Sequence, residues 1–246
     1  MGRDGEGDVD IRTCRGALAI LGVVAVAALL AACETPAPGG GPVAVQPPTC
    51  PFDDVVQVDG DSLAAGMTPH LRAGVGHTLF GSAIGGSSMT GATPQEQVDD
   101  RVNRWLDSCG APDLVVMEAG LNDIIQGVSA QQLTAEVLAL DSAIADAGSE
   151  ALWVTVPPLA AAGGYASRNP ERRAFNDWLR TADELDGRVV DVVPALQGPG
   201  AADTLAPWYL WYSTDLFKPD GLHPNAEGYR AMAAVVQPAL DAALAD

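Results

Sequence analysis

Positive charge is scarce in this sequence. Its 246 residues hold 13 Lys+Arg against 32 Asp+Glu, a formal net charge of −19. So acidic a body repels phosphate backbones, which argues against nucleic acid as a partner. Histidine is scarcer still, with three in the chain, and there are four cysteines. No H-E-x-x-H and no clustered His/Cys set occurs, so no metal site is expected. The glycine-rich stretches lack the lysine of a P-loop and the G-x-G-x-x-G spacing of a dinucleotide site, so no cofactor is expected either. A G-x-S-x-G elbow is also missing, which leaves the α/β-hydrolase architecture without support. The apolar run from Gly16 to Ala32 is a little short of the about 20 residues that span a bilayer.

That run does have a direction. Arg3, Arg12 and Arg15 precede it, and small residues and Cys33 follow, so residues 1–32 suggest an export signal. The stretch Leu30-Ala31-Ala32-Cys33 resembles a bacterial lipobox, which implies cleavage before Cys33 and lipidation of its sulfur. An ordinary signal peptide cut near Ala32, or an uncleaved anchor, fits the same residues. Residues 33–49 are rich in Pro and Gly and read as a tether, with a reach on the order of 20 Å as flexible coil. One domain is expected over residues 50–246. Without residues 1–32 the chain keeps 10 basic and 28 acidic residues, so an anionic membrane surface would repel it and a covalent anchor would be useful. Cys50 and Cys109 form an even pair in an exported, oxidising setting. Each lies four residues before an apolar strand. A disulfide follows if those strands are parallel neighbours; two buried free thiols are the alternative.

Within the domain, short apolar runs alternate with amphipathic ones. Val55–Val58, Thr78–Ile84, Leu114–Met117, Leu152–Val156 and Val189–Val193 are predicted strands. Helical periodicity covers roughly Leu63–Ala73, Pro94–Asp107, Ala130–Ala147, Glu171–Ala182 and Asn225–Leu244. Thr93 is the expected cap of the second helix, and Pro238 is expected to kink or break the last. Alternation of this kind predicts an α/β fold, a five-stranded parallel sheet covered on both faces. Ligands bind such sheets at the carboxyl ends of the strands. Gly60-Asp61-Ser62 follows the first strand, Gly85-Gly86-Ser87-Ser88 the second, and Gly120-Leu121-Asn122-Asp123 the third.

A serine hydroxyl is a poor nucleophile until a base takes its proton, and histidine is the usual base. His70 lies two helical turns beyond Ser62 and cannot reach back. His77 precedes a strand, at the wrong end of the sheet. His223 follows Asp220 by three residues, a spacing that in a turn brings a carboxylate to the imidazole. The same segment also reads as a helix-entry turn with an exposed histidine. Candidate donors for a developing oxyanion are the Ser62 N–H, the Gly86 N–H and the Asn122 amide.

The segments Gly60-Asp61-Ser62-Leu63, Gly86, Gly120-Leu121-Asn122-Asp123 and Asp220-Gly221-Leu222-His223 resemble, in order, the four blocks of SGNH/GDSL hydrolases. The resemblance spans about residues 54–244; its second block is the weakest match, with Gly85 a near alternative to Gly86. It implies a flavodoxin-like three-layer α/β/α sandwich and serine-dependent hydrolysis of carboxylic esters. By resemblance, Ser62 is the nucleophile, His223 the base, Asp220 its orienter, and Ser62, Gly86 and Asn122 the oxyanion hole. Asp61 and Asp123 look structural.

The substrate is less legible. Trp208-Tyr209-Leu210-Trp211-Tyr212 gathers four of the nine Trp+Tyr and forms either a wall for an acyl chain or sugar, or a core element. Met89 and Leu159–Ala162 are further candidates for the entrance. An acyl lipid or an acylated sugar of the cell envelope is the expected ester, the enzyme being exported and either lipid-anchored, facing outward, or secreted. A monomer is expected. An acyltransferase on the same site, or a non-catalytic envelope-binding lipoprotein, would carry much the same sequence.

Overall fold

A computed structural model describes residues 50, 54–74, 76–159, 164–196 and 216–245. Five strands form one parallel sheet: β1 (Val55–Gly60), β2 (Thr78–Gly81), β3 (Leu114–Glu118), β4 (Glu150–Val154) and β5 (Val189–Val190), in the order β2-β1-β3-β4-β5. The order reverses next to β1, so the crevice at the carboxyl ends of β1 and β3 is the switch point where such sheets bind ligands. Strands β1 and β3 are buried at every position, as central strands covered on both faces must be. One face carries the helices α1 (Ser62–Met67), α6 (Val193–Leu196) and α7 (Ala226–Ala243). The other carries α2 (Val98–Cys109), α4 (Ala130–Asp146) and α5 (Asn169–Thr181), with the short α3 (Leu121–Gln126) packed on α5. The expected three-layer α/β/α sandwich is therefore the observed one.

Several boundaries differ from the pattern in the sequence. Helix α2 begins at Val98, not Pro94, with Gln97 in the capping position. Thr93 does not cap it; its hydroxyl donates to the Gly86 carbonyl at 2.6 Å. Helix α1 ends at Met67 and passes into a 3-10 turn over Thr68–His70. Strand β2 stops at Gly81, and Val193, expected in a strand, opens α6, where Asp191 accepts its N–H at 3.1 Å. Pro238 lies inside α7 without breaking it. Helix α3, six residues long, has no counterpart in the apolar periodicity.

Cys50 and Cys109 are disulfide-bonded, with Cα atoms 5.2 Å apart. Because β1 pairs in parallel with β3, both cysteines stand at the amino edge of the sheet.

Candidate active site

The site is built at the end of β1. Gly60 adopts φ +136°, and a Cβ there would lie 1.7 Å from the Glu118 carbonyl oxygen, so only glycine lets β1 turn this close to β3. Asp61 then caps α1, accepting the Leu63 N–H at 2.8 Å, and Ser62 becomes the first helical residue, partly exposed.

The segment before α7 meets it from the far end of the chain. Asn225 caps α7 by accepting the Glu227 and Gly228 N–H groups, at 2.9 and 3.0 Å. Main-chain bonds from Lys218 to His223 and from Asn225 to Leu216 close the turn ahead of it. Within that turn one Asp220 oxygen accepts the Leu222 and His223 amides, both at 2.9 Å. The other stands 3.0 Å from His223 Nδ1, and His223 Nε2 stands 2.9 Å from Ser62 Oγ. Partial burial of Asp220 opposes its ionisation, but the two amides and the imidazole outweigh it and hold the carboxyl down at about 2. With Asp220 anionic, Nδ1 is the nitrogen that carries hydrogen, which leaves the Nε2 lone pair facing the serine.

The loop after β2 closes the third side. Ser87 N–H donates to the Ile84 carbonyl at 3.1 Å, and Gly86, at the third position of that turn, has φ +86°. A positive φ at that position is the mark of a type II turn, which favours glycine there. A Cβ on Gly85 would lie 3.7 Å from Ser62 Cβ, so the loop lies against the serine. Buried Asn122, on α3, donates to the Ser87 carbonyl at 2.8 Å and is 3.4 Å from an Asp61 oxygen. Ser62, Asp220, His223, Gly86 and Asn122 thus stand on neighbouring loops and helix starts at one edge of the sheet. The other two histidines do not: His70 ends the turn after α1, and His77 is 3.8 Å from Asp113 at the amino edge.

Asp61 and Asp123 do architectural work. Asp123 accepts the Met89 and Thr90 amides, each at 2.9 Å, and the Thr90 hydroxyl at 2.7 Å, tying the glycine loop to α3. Met89 and Leu159, expected at the entrance, are instead in the core, at 2% and 0% exposure. Residues 160–162 and Trp208–Tyr212 lie outside the described residues, as does Cys33.

Three further residues bear on the site. Glu118 ends β3 fully buried beside Asp61, and neither of its oxygens has a well-formed hydrogen bond. Burial, and then the charge of Asp61, push its carboxyl well above the usual range. Burial likewise pushes Asp61 up, to about 7, against the pull of the Leu63 amide. Tyr229 of α7 donates to the Ser62 carbonyl at 3.4 Å. Burial and the carboxyls of Glu118, Asp61 and Asp220 hold its phenol protonated. Arg101 of α2 is buried against Asp59. An acid closing an otherwise apolar strand is the one sequence signal that singles out Glu118. Arg101 and Tyr229 sit in ordinary helical patterns. Among the described residues no group of three His, Cys, Asp or Glu side chains stands close enough to hold a metal ion.

A parallel sheet in this order, with these loops at its carboxyl edge, has the SGNH/GDSL hydrolase fold. The chain belongs to the GDSL-like lipase/acylhydrolase family, whose profile matches residues 59–231; it is an esterase/lipase-type enzyme acting on ester bonds. No curated protein matches the chain. Among solved structures it is similar to TesA, at 20% identity and TM-score 0.55, over 77% of this chain and 99% of that one. It is similar to a carbohydrate acetylesterase family member from Sinorhizobium meliloti, at 19% identity and TM-score 0.55, over 78% and 100%. A third is the psychrotrophic esterase EstA from Pseudoalteromonas sp., at 16% and 0.55, over 79% and 100%. At these identities the likeness is one of fold.

Proposed function

We propose that this protein hydrolyses carboxylic esters through an acyl-enzyme on Ser62. One observation carries the reading: the continuous chain Ser62 Oγ–His223 Nε2–His223 Nδ1–Asp220, at 2.9 and 3.0 Å. As Ser62 Oγ attacks the ester carbonyl carbon, its proton passes to Nε2, and Asp220 stabilises the imidazolium. The carbonyl oxygen becomes an alkoxide stabilised by the Ser62 N–H, the Gly86 N–H and the Asn122 Nδ2 hydrogen that is not given to the Ser87 carbonyl. Nε2 then gives its proton to the departing alcohol oxygen, leaving Ser62 acylated. Water then attacks the acyl carbon as Nε2 takes its proton; the bond to Ser62 Oγ breaks, Nε2 returns the proton to Oγ, and the carboxylic acid leaves.

The test is hydrolysis of p-nitrophenyl esters from two to sixteen carbons by the wild type and Ser62→Ala. The expected outcome is loss of turnover in the variant, by about 10⁶-fold in kcat; full activity in Ser62→Ala would refute the mechanism. The chain-length profile bounds the acyl pocket.

For the substrate we propose acyl or acetyl esters of the cell envelope, lipid or carbohydrate. Support comes from location: the arginine-flanked apolar run and the Leu30–Cys33 lipobox would hold the enzyme at the membrane's outer face through Cys33. Labelled palmitate is expected to enter the protein in cells and to be absent from Cys33→Ala; persistent labelling there would remove the anchor from this reading.

A further inference from the structure

The oxyanion donors sit on separate elements, and one buried side chain joins the turn before Ser62 to the glycine loop from behind. We propose that Arg101 is a positioning residue for the reaction: its guanidinium clamps the nucleophile turn to the glycine loop and so sets the geometry of the oxyanion hole. The inference rests on the serine mechanism above and names the part that holds its donors in register.

Arg101 reaches from α2 under the edge of the sheet and is 5% exposed. Its Nε donates to both Asp59 oxygens, at 2.9 and 3.1 Å, and Nη2 makes a further short contact to the same carboxylate. Nη2 also donates to the Gly60 carbonyl at 2.7 Å, and Nη1 to Ser87 Oγ at 3.0 Å. Asp59 in turn accepts the Gly60 N–H at 2.6 Å. Gly60 is two residues before Ser62. Ser87 follows Gly86, and its carbonyl anchors the Asn122 amide at 2.8 Å. Each of the three donors is therefore within two residues of a group Arg101 holds, or is bonded to one.

The chemistry selects arginine. A planar guanidinium fixes the angle between its Nη1 and Nη2 bonds, so Gly60 and Ser87 are held relative to one another as well as to α2. A lysine ammonium would neutralise Asp59 but has no fork with which to span both loops. The Asp59–Arg101 pair alone reads as a stability element. The two bonds that leave it for Gly60 and Ser87 are what couple it to the site. Oxyanion donors act only when aimed where charge develops, and a misplacement of about 1 Å lowers rate by up to about a hundredfold.

Two variants test this, with Ser62→Ala alongside. Ser87→Ala removes the Nη1 acceptor but leaves the Asp59 pair and the Ser87 carbonyl in place. Arg101→Lys keeps the charge and loses the fork. Both are assayed on a short p-nitrophenyl ester and titrated with a boronic acid that mimics the tetrahedral anion. The expected result is a fall in kcat of about tenfold for Ser87→Ala and up to about a hundredfold for Arg101→Lys, with KM within about twofold. Boronate affinity should fall in proportion to kcat/KM. Should Arg101→Lys fail to fold, the outcome with Ser87→Ala decides. A folded Ser87→Ala with unchanged kcat and boronate affinity would overturn the proposal, as would a loss confined to KM or to Tm. An active Ser62→Ala would instead strike the serine mechanism, which keeps the two failures distinct.

Discussion

At the scale of single residues, the least comfortable feature of the site is the pair of carboxyls under Ser62. Asp61 and Glu118 are both fully buried, and two such groups in contact cannot both ionise at neutral pH. Burial raises both carboxyls, and the charge of Asp61 opposes the ionisation of Glu118 further. The consequence for stability has a definite sign. Unfolded, both groups release their protons near pH 4. Folded, Asp61 keeps its proton to about pH 7, and burial holds the Glu118 carboxyl well above the usual range. The native state thus binds more protons through this window, and stability falls as pH rises from about 4 through 7. Glu118→Gln is close in shape, supplies an N–H donor to Asp61 and cannot ionise. It is expected to raise Tm at pH 8 relative to pH 5, when each is compared with the wild type. Thermal melts at the two pH values check this; an equal shift at both would mean that the pair does not titrate in this range.

At the scale of elements, the site depends on how the glycine loop is tied down. Asp123 gathers three donors from Met89 and Thr90, and Asp123→Ala would orphan all of them in a largely buried place. Each unsatisfied donor costs about 1–3 kcal/mol. A loss of roughly 3 kcal/mol or more in urea unfolding is expected, together with a fall in kcat, because the same loop carries Gly86. A variant that kept wild-type stability would show that the loop is held by other contacts. The same loop explains which elements were legible in the sequence. Strands β1 and β3 are, because both of their faces are buried and the apolar run is nearly unbroken. The blocks at their ends are, because turn, cap and donor chemistry each demand a residue type at a fixed place. The start of α2 is not: Thr93 is diverted to the Gly86 carbonyl and the Val98 N–H to the Ser88 carbonyl, so tertiary contacts override a sound local cap. Arg101 is not legible either, since nothing local distinguishes an arginine that will meet Asp59 across 42 residues from one that will face solvent. Helix α3 is too short to show a period at all.

At the scale of the molecule, the two edges of the sheet are assigned to different tasks. Ser62, His223 and the glycine loop occupy the carboxyl edge, and the Cys50–Cys109 bond occupies the amino edge. Strand β1, which separates them, is six residues long, or about 20 Å. The bond spans 59 residues of sequence, a loop whose closure in the unfolded chain corresponds to about 4 kcal/mol, of which about 2–4 is commonly realised. The double variant Cys50→Ala/Cys109→Ala is therefore expected to lose about 2–4 kcal/mol in urea unfolding. Its m-value should rise, because the unfolded chain is no longer held compact. Its kcat on a short ester at 25 °C should be unchanged while the protein stays folded, because the bond and Ser62 stand at opposite edges of the sheet. A proportionate loss of kcat and stability in the folded variant would show that the amino edge sets the geometry of β1 as far as Gly60. Unchanged kcat with reduced stability would mean that the bond staples the point where the chain enters the domain and leaves the chemistry to the loops at the other end.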